Sequence, residues 1–182
     1  MFENIIKNVH NRHPLIHCIT NYVSINDCAN IVLACGGAPI MAEDINEVSQ
    51  ITSICQGLDI NIGMLNDNKL SSMLKAGATA NELGIPVILD PVGAGSSDYR
   101  IKAVQNLMSN VQFGVIRGNV SEIKAIAAKQ GIHNIAVGVY ETMQKNKSAM
   151  GVEAGIADKI TDDNIKEMAD FINKLSQKTG AV

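Results

Sequence analysis

With 182 residues, 15 basic and 18 acidic side chains, a formal charge of −3 and no basic cluster, the chain can build one domain with a substantial core and lacks an electrostatic footprint for nucleic acid. Met1 to Asn11 carries charge without an apolar stretch, and nowhere do about eighteen apolar residues run together. These features argue against a signal peptide or membrane span and point to a cytoplasmic protein acting on a small molecule.

Leu15 to Ile19 reads as a first strand, and Thr20-Asn21-Tyr22-Val23 leaves it before a helix from about Ile25 to Cys35, closed by Gly36-Gly37. His17, inside the apolar run, reads as a hydrogen-bonded core histidine. The four cysteines (Cys18, Cys28, Cys35, Cys55) show neither C-x-x-C pairing nor metal spacing and read as reduced core residues, with Cys28 and Cys35 on one helix face. Ala38 to Met41 is a short strand. Asp44 and Glu47 then have the spacing of a capping box, and Ile45, Val48, Ile51, Cys55 and Leu58 recur at helical spacing. Met41, at a strand end, is placed to touch a ligand, although methionine also serves as core filler. Asp59 to Gly63 is the third strand, and Leu70, Met73, Leu74, Gly77 and Ala80 give the next helix one buried face.

Ile85 to Asp90 is an apolar run without alternation, which fits a strand covered on both faces in a parallel sheet. Ligands of such sheets gather beyond the carboxyl ends of the strands. Asp90 would sit at that end, and Val92-Gly93-Ala94-Gly95-Ser96 would let backbone N–H groups converge as an anion-binding concavity. The same composition also makes an ordinary turn. A dinucleotide fingerprint is rejected, because Gly93-Ala94-Gly95-Ser96-Ser97-Asp98 lacks the third glycine and no acidic residue follows about twenty positions on.

A helix near Tyr99 to Met108 and a strand at Phe113 to Ile116 come next. Asn119 and Glu122 stand in N-cap and N3 relation, so Glu122 is a capping carboxylate and also a candidate second acid at the same sheet edge as Asp90. Arg117 leaves its strand at that level and is either a phosphate contact or a solvated charge. From Lys129 to Gly155 the periodicity fades into mostly loop. Asp162 to Lys178 restores a helix with Ile165, Met168, Ile172 and Leu175 on one face, closed at Thr179-Gly180, and Ala181-Val182 reads as the start of another strand. Alternating strands and helices predict right-handed crossovers and one α/β domain over residues 1–182, a three-layer α/β/α sandwich with a mostly parallel sheet. The chain stops where a strand should begin, so the fold is expected to be C-terminally incomplete, with its last strand position empty or filled by another chain.

The segments His17-Cys18-Ile19-Thr20-Asn21-Tyr22-Val23, Pro39-Ile40-Met41-Ala42, Asn61-Ile62-Gly63, Asn81-Glu82-Leu83-Gly84-Ile85-Pro86, Leu89-Asp90-Pro91-Val92-Gly93-Ala94-Gly95 and Ile116-Arg117-Gly118-Asn119-Val120-Ser121-Glu122-Ile123 together resemble hydroxyethylthiazole kinase, in register from Leu15 to about Ala127. The resemblance implies a ribokinase-like fold and ATP- and magnesium-dependent phosphorylation of the hydroxyl of 4-methyl-5-(2-hydroxyethyl)thiazole in thiamine salvage. It implies homotrimers with sites between subunits. By motif, Met41, Asn21 and Val23 would line the thiazole pocket, Arg117 would contact ATP phosphates with Asn119 near them, and Asp90 and Glu122 would hold or orient Mg2+. Such roles suit phosphoryl transfer, which rests on in-line positioning and charge neutralisation by metal and arginine. The family continues through a strand ending in Thr-Gly and a Gly-Thr-Gly-Cys or Gly-Ala-Gly-Cys turn that carries the residue activating the hydroxyl. That turn is not in these 182 residues, so no catalytic residue is assigned, and thiazole or nucleotide binding without turnover stands as a second class of function.

Overall fold

The computed structural model describes residues 2–132 and 160–182. Their elements run α1 (Phe2–Arg12), β1 (Leu15–Ile19), α2 (Ile25–Ala34), β2 (Ala38–Ile40), α3 (Val48–Ile54), β3 (Gly57–Asn61), α4 (Asp67–Glu82), β4 (Val87–Asp90), α5 (Asp98–Asn110), β5 (Val115–Ile116), α6 (Val120–Lys129) and α7 (Ile165–Thr179). The loop expected up to Gly155 lies, beyond Ile132, outside the described residues. Among the described residues no helix is long and apolar enough to cross a membrane.

The five strands form one parallel sheet in the order β2-β1-β3-β4-β5, flanked by helices as the α/β expectation required. Right-handed crossovers decide which helix covers which face. The chain moves one way from β1 to β2 and the other way from β2 through β3 and β4 to β5, so α2 lies on one face and α3, α4 and α5 on the opposite one. Contacts between α3 and α4 and between α4 and α5 agree with this placement. The α4 side is the dry one: Ile19, Leu58, Ile60, Val87 and Leu89 meet Met73, Ala76, Ala80, Val104 and Leu107 there. Gly77 lies within this face, where an added Cβ would stand 2.5 Å from Val111 Cγ2, so helix and loop approach through the missing side chain.

Several expectations need correction. The run at β4 is not covered on both faces, because Ile88 is 40% exposed and its neighbour Val115 36%. The α4 and α5 crossovers go the same way and shield a single side. Asp44 and Glu47 form no capping box: Asp44 Oδ1 accepts from the backbone and side-chain nitrogens of Asn46 at 2.8 and 2.9 Å, and α3 begins only at Val48. Only Cys18 and Cys55 are core cysteines, whereas Cys28 is half-buried and Cys35, the C-cap of α2, is exposed. All four are free, and burial pushes the Cys18 thiol up to about 12, which makes it inert. The buried stripe of α7 is Met168, Phe171 and Leu175, while Ile165 and Ile172 face solvent.

The reading of Ala181-Val182 as a strand start is met by hydrogen bonds. Val182 N donates to Gly114 O at 3.0 Å and Ile116 N donates to Val182 O at 2.9 Å, the two rungs that open a ladder beside β5.

Candidate functional site

A parallel sheet brings all its carboxyl-terminal strand ends to one edge, and the edge here carries a candidate residue from every strand, polar at all but β2. Met41 follows β2, Asn21 and Val23 follow β1, Asn61 ends β3, Asp90 ends β4 and Arg117 follows β5. The strand order turns at β1, with β2 on one side and β3 on the other, which is the topological switch point where open α/β sheets bind ligands.

Side chains join these ends from β1 to β5. Asn21 Nδ2 donates to Asn61 Oδ1 at 3.3 Å, Asn61 Nδ2 donates to Asp90 Oδ2 at 3.0 Å, and Arg117 Nη1 donates to the same oxygen at 3.3 Å. Asn21 is fixed from its other end, since its Oδ1 accepts from Ser24 N at 3.0 Å and Ser24 Oγ at 3.1 Å ahead of α2. Gly63 is enclosed by this network: its N–H donates to Asn61 Oδ1 at 2.8 Å, and a Cβ there would lie 2.9 Å from both Asn21 Nδ2 and Asn61 Oδ1. Met41 is half-buried, whereas Val23 is 88% exposed and the Arg117 side chain 78%.

His17 holds the β2 end from below. Its ring is fully buried, and burial lowers its pKa, so the neutral form prevails. Nε2–H then donates to the carbonyl of Ala42, next to Met41, at 2.8 Å, and Nδ1 lies 2.9 Å from Thr52 Oγ1, whose hydroxyl also reaches Val48 O at 2.7 Å. This is the satisfied core histidine expected from the apolar run.

At the other end of the edge the Asn119–Glu122 capping box forms as expected. Asn119 Oδ1 accepts from Glu122 N at 3.0 Å, and Glu122 Oε2 accepts from Asn119 N at 2.8 Å. The second Glu122 oxygen, Oε1, accepts from Gly93 N at 2.8 Å. Ala94 N and Ser96 N donate to Pro91 O and Gly93 O, each at 2.9 Å. The expected anion-binding concavity is thus corrected: at Gly93 its amide holds the protein's own Glu122 carboxylate, and those of Ala94 and Ser96 close the turn. Burial raises the Asp90 carboxyl, the Arg117 guanidinium pulls it down, Glu122 pushes it up again, and the balance is a raised pKa.

The sequence reading assigned no role to three residues that order this edge. Asn61 is its central bridge. Arg100, from α5, donates through Nη1 to Ile62 O at 2.7 Å and Val92 O at 2.8 Å, and through Nη2 to Gly63 O at 2.7 Å, tying the loop after β3 to the loop after β4. Asp59, two residues before Asn61 on the same sheet face, is pushed by burial, and then by Asp90, up to about 6, with Arg117 opposing. A carboxylate between Leu58 and Ile60 inside a strand was the one sequence signal for it.

The chain resembles known proteins in both sequence and fold. The model of the hydroxyethylthiazole kinase family matches residues 6–173. The hydroxyethylthiazole kinase of Clostridium acetobutylicum is 52% identical over 182 residues, covering 100% of this chain and 61% of its own length. That of Desulfovibrio desulfuricans is 44% identical over 182 residues, with 58% of its length covered. The chain thus spans about three fifths of the length of these relatives. A solved structure of hydroxyethylthiazole kinase from Pyrococcus horikoshii OT3 superposes with a TM-score of 0.68 at 40% identity, over 70% of this chain and 50% of that one.

Proposed function

The chain belongs to the hydroxyethylthiazole kinase family, and from that premise we propose that it binds 4-methyl-5-(2-hydroxyethyl)thiazole and magnesium ATP within an enzyme that phosphorylates the thiazole's hydroxyl in thiamine salvage. The observation that carries this reading is the continuous bridge Asn21–Asn61–Asp90–Arg117 along the sheet edge. It joins the end proposed for the heterocycle, with Asn21, Val23 and Met41, to the end proposed for the phosphates, with Arg117 and Asn119. Neighbouring strands lie about 4.8 Å apart, so β1 and β5, three steps from one another, are separated by about 14 Å, a span that a small alcohol and a triphosphate laid end to end can cover.

In this reading Met41 and Val23 bury the apolar ring and the Asn21–Asn61 pair fixes its polar edge. Arg117 is largely exposed and held to Asp90 by a single contact of 3.3 Å, so it can turn its guanidinium onto phosphate oxygens. The charge that develops on the transferred group is then met by a group already in place.

The residues fit magnesium. Asp90 and Glu122 offer oxygen alone, and the Glu122 charge adds to the cost of ionising Asp90, which a cation relieves; among the described residues no third acid, histidine or cysteine joins them. That donor set suits an ion that completes its shell with water and phosphate oxygens. Asp90 and Glu122 would hold it, and when bound it supplies neutralisation of phosphate charge.

The family's homotrimeric state belongs to the same reading. The apolar helix α2 buries no residue and exposes Ile31 and Leu33, which supports a covering copy of the chain on this side. Light scattering should then return three times the mass of one chain.

Calorimetric titration tests the assignment. Met41→Ala should weaken thiazole binding about tenfold, the equivalent of losing one to two buried methylenes, and leave magnesium ATP affinity intact. Asp90→Asn should do the reverse. If the chain takes up neither compound, the assignment is wrong.

A further inference from the structure

Lys69 is buried to 4% exposure at the third position of α4, after the N-cap Asn66. Both facts oppose a lysine. A buried ammonium loses its hydration, and the first turn of a helix is the positive end of its dipole. Helix stability therefore does not explain this residue, but its partners do. Nζ donates to Thr20 O at 2.7 Å, pairs with Glu43 Oε2 at 2.7 Å and lies 4.5 Å from the centroid of the Tyr22 ring. Tyr22 Oη donates to the other oxygen of Glu43, closing a ring of three side chains. Partial burial works against the Glu43 charge, yet the bonds from Lys69 and Tyr22 more than offset it and lower the carboxyl's pKa.

The partners belong to the two loops that matter. Thr20 and Tyr22 flank Asn21 and precede Val23 in the loop after β1; Glu43 stands two residues beyond Met41 in the loop after β2. Those strands pair only over Leu15–His17 with Ala38–Ile40, so the loops have already left the ladder. Thr20, Tyr22 and Glu43 are all held by one cation from a third element.

We propose that Lys69 is a positioning residue for the thiazole pocket, pinning the loop of Asn21 and Val23 to the loop of Met41 so that the pocket's two walls keep a fixed separation. This rests on the reading of Asn21, Val23 and Met41 as pocket residues. The ion pair is half-exposed at Glu43, so its value lies in geometry more than in net stability.

The test uses Lys69→Met, which keeps the stem and removes the charge, with amide hydrogen exchange of the ligand-free chain and calorimetry with hydroxyethylthiazole. Exchange should accelerate in both residues 20–23 and residues 41–43, thiazole affinity should fall about tenfold, and magnesium ATP affinity should hold. Glu43→Gln should loosen the same two segments, and the double variant should be no looser than either single one. If Lys69→Met fails to fold, Glu43→Gln and Tyr22→Phe, both at exposed or half-exposed sites, carry the same comparison. Unchanged exchange in either segment overturns the pinning. Faster exchange with unchanged thiazole affinity, where Met41→Ala does weaken binding, overturns the positioning role alone. If Met41→Ala is also without effect, the pocket reading falls and the proposal with it.

Discussion

Asp59 shows how one side chain sets a pH dependence. Burial, and after it the Asp90 charge, lifts its carboxyl from 3.8 to about 6 in the folded chain. A carboxyl that holds its proton more tightly when folded contributes stability below the ordinary aspartate pKa, and that contribution is lost as pH rises through about 6. Without magnesium, unfolding free energy should fall between about pH 4 and pH 6. Asp90, raised for the same first reason, adds a slope of the same sign. Asp59→Asn should flatten much of the decline and exceed the parent chain at pH 7 by on the order of 2 kcal/mol, read from urea transitions at several pH values. Superimposable pH profiles of the two chains would show that the buried charge is compensated. The residues legible in the sequence were those at strand ends, where an apolar run stops at Asp90 or a capping pair such as Asn119 and Glu122 announces itself. Lys69 and Arg100 were not legible, because their carbonyl partners lie 49 and 38 positions away and no local pattern marks such a partner.

Among the elements, β1, β2, α2 and α4 matched the sequence reading closely, since each has local signals: short apolar runs, a terminal Gly-Gly, a small-residue stripe. Helix α1 was legible and missed, since Phe2, Ile5, Ile6 and Val9 recur at helical spacing. Helix α7 could bury either of two overlapping stripes, and packing chose Met168, Phe171 and Leu175. The small-residue stripe of α4 makes the sharpest element-level prediction. Gly77→Ala would push a methyl to 2.5 Å from Val111 Cγ2, so despite alanine's better helix propensity it should lower stability by about 1–3 kcal/mol in thermal unfolding. Asn119→Ala should cost about 1 kcal/mol by removing the cap, and it should also free Glu122 to swing from Asn119 N, a change visible as faster exchange of that amide.

At the scale of the molecule, the five-stranded parallel sheet and the gathering of its carboxyl-terminal strand ends follow from the alternation of strand and helix signals, but the one-sided burial of β4 does not. It depends on the direction in which successive crossovers step, and no single segment encodes that. The last two residues have weight out of proportion to their number. Ala181 is in the core and Val182 supplies two rungs to β5. Removing both should expose Gly114 O and Ile116 N and cost about 1–3 kcal/mol, with exchange rising first at β5.

The turn of strand order at β1 also bears on how the chain is made. Strand ends leave the ribosome in the sequence Asn21, Met41, Asn61, Asp90, Arg117, while on the finished edge Met41 lies outermost and the rest follow in order. During synthesis β1, β2 and β3 emerge ahead of β4 and β5, so the strands that carry Asn21, Met41 and Asn61 are free to pair before those that carry Asp90 and Arg117. Asp90 and Glu122, whose charges oppose one another at this edge, follow later in the chain than the strands on the other flank.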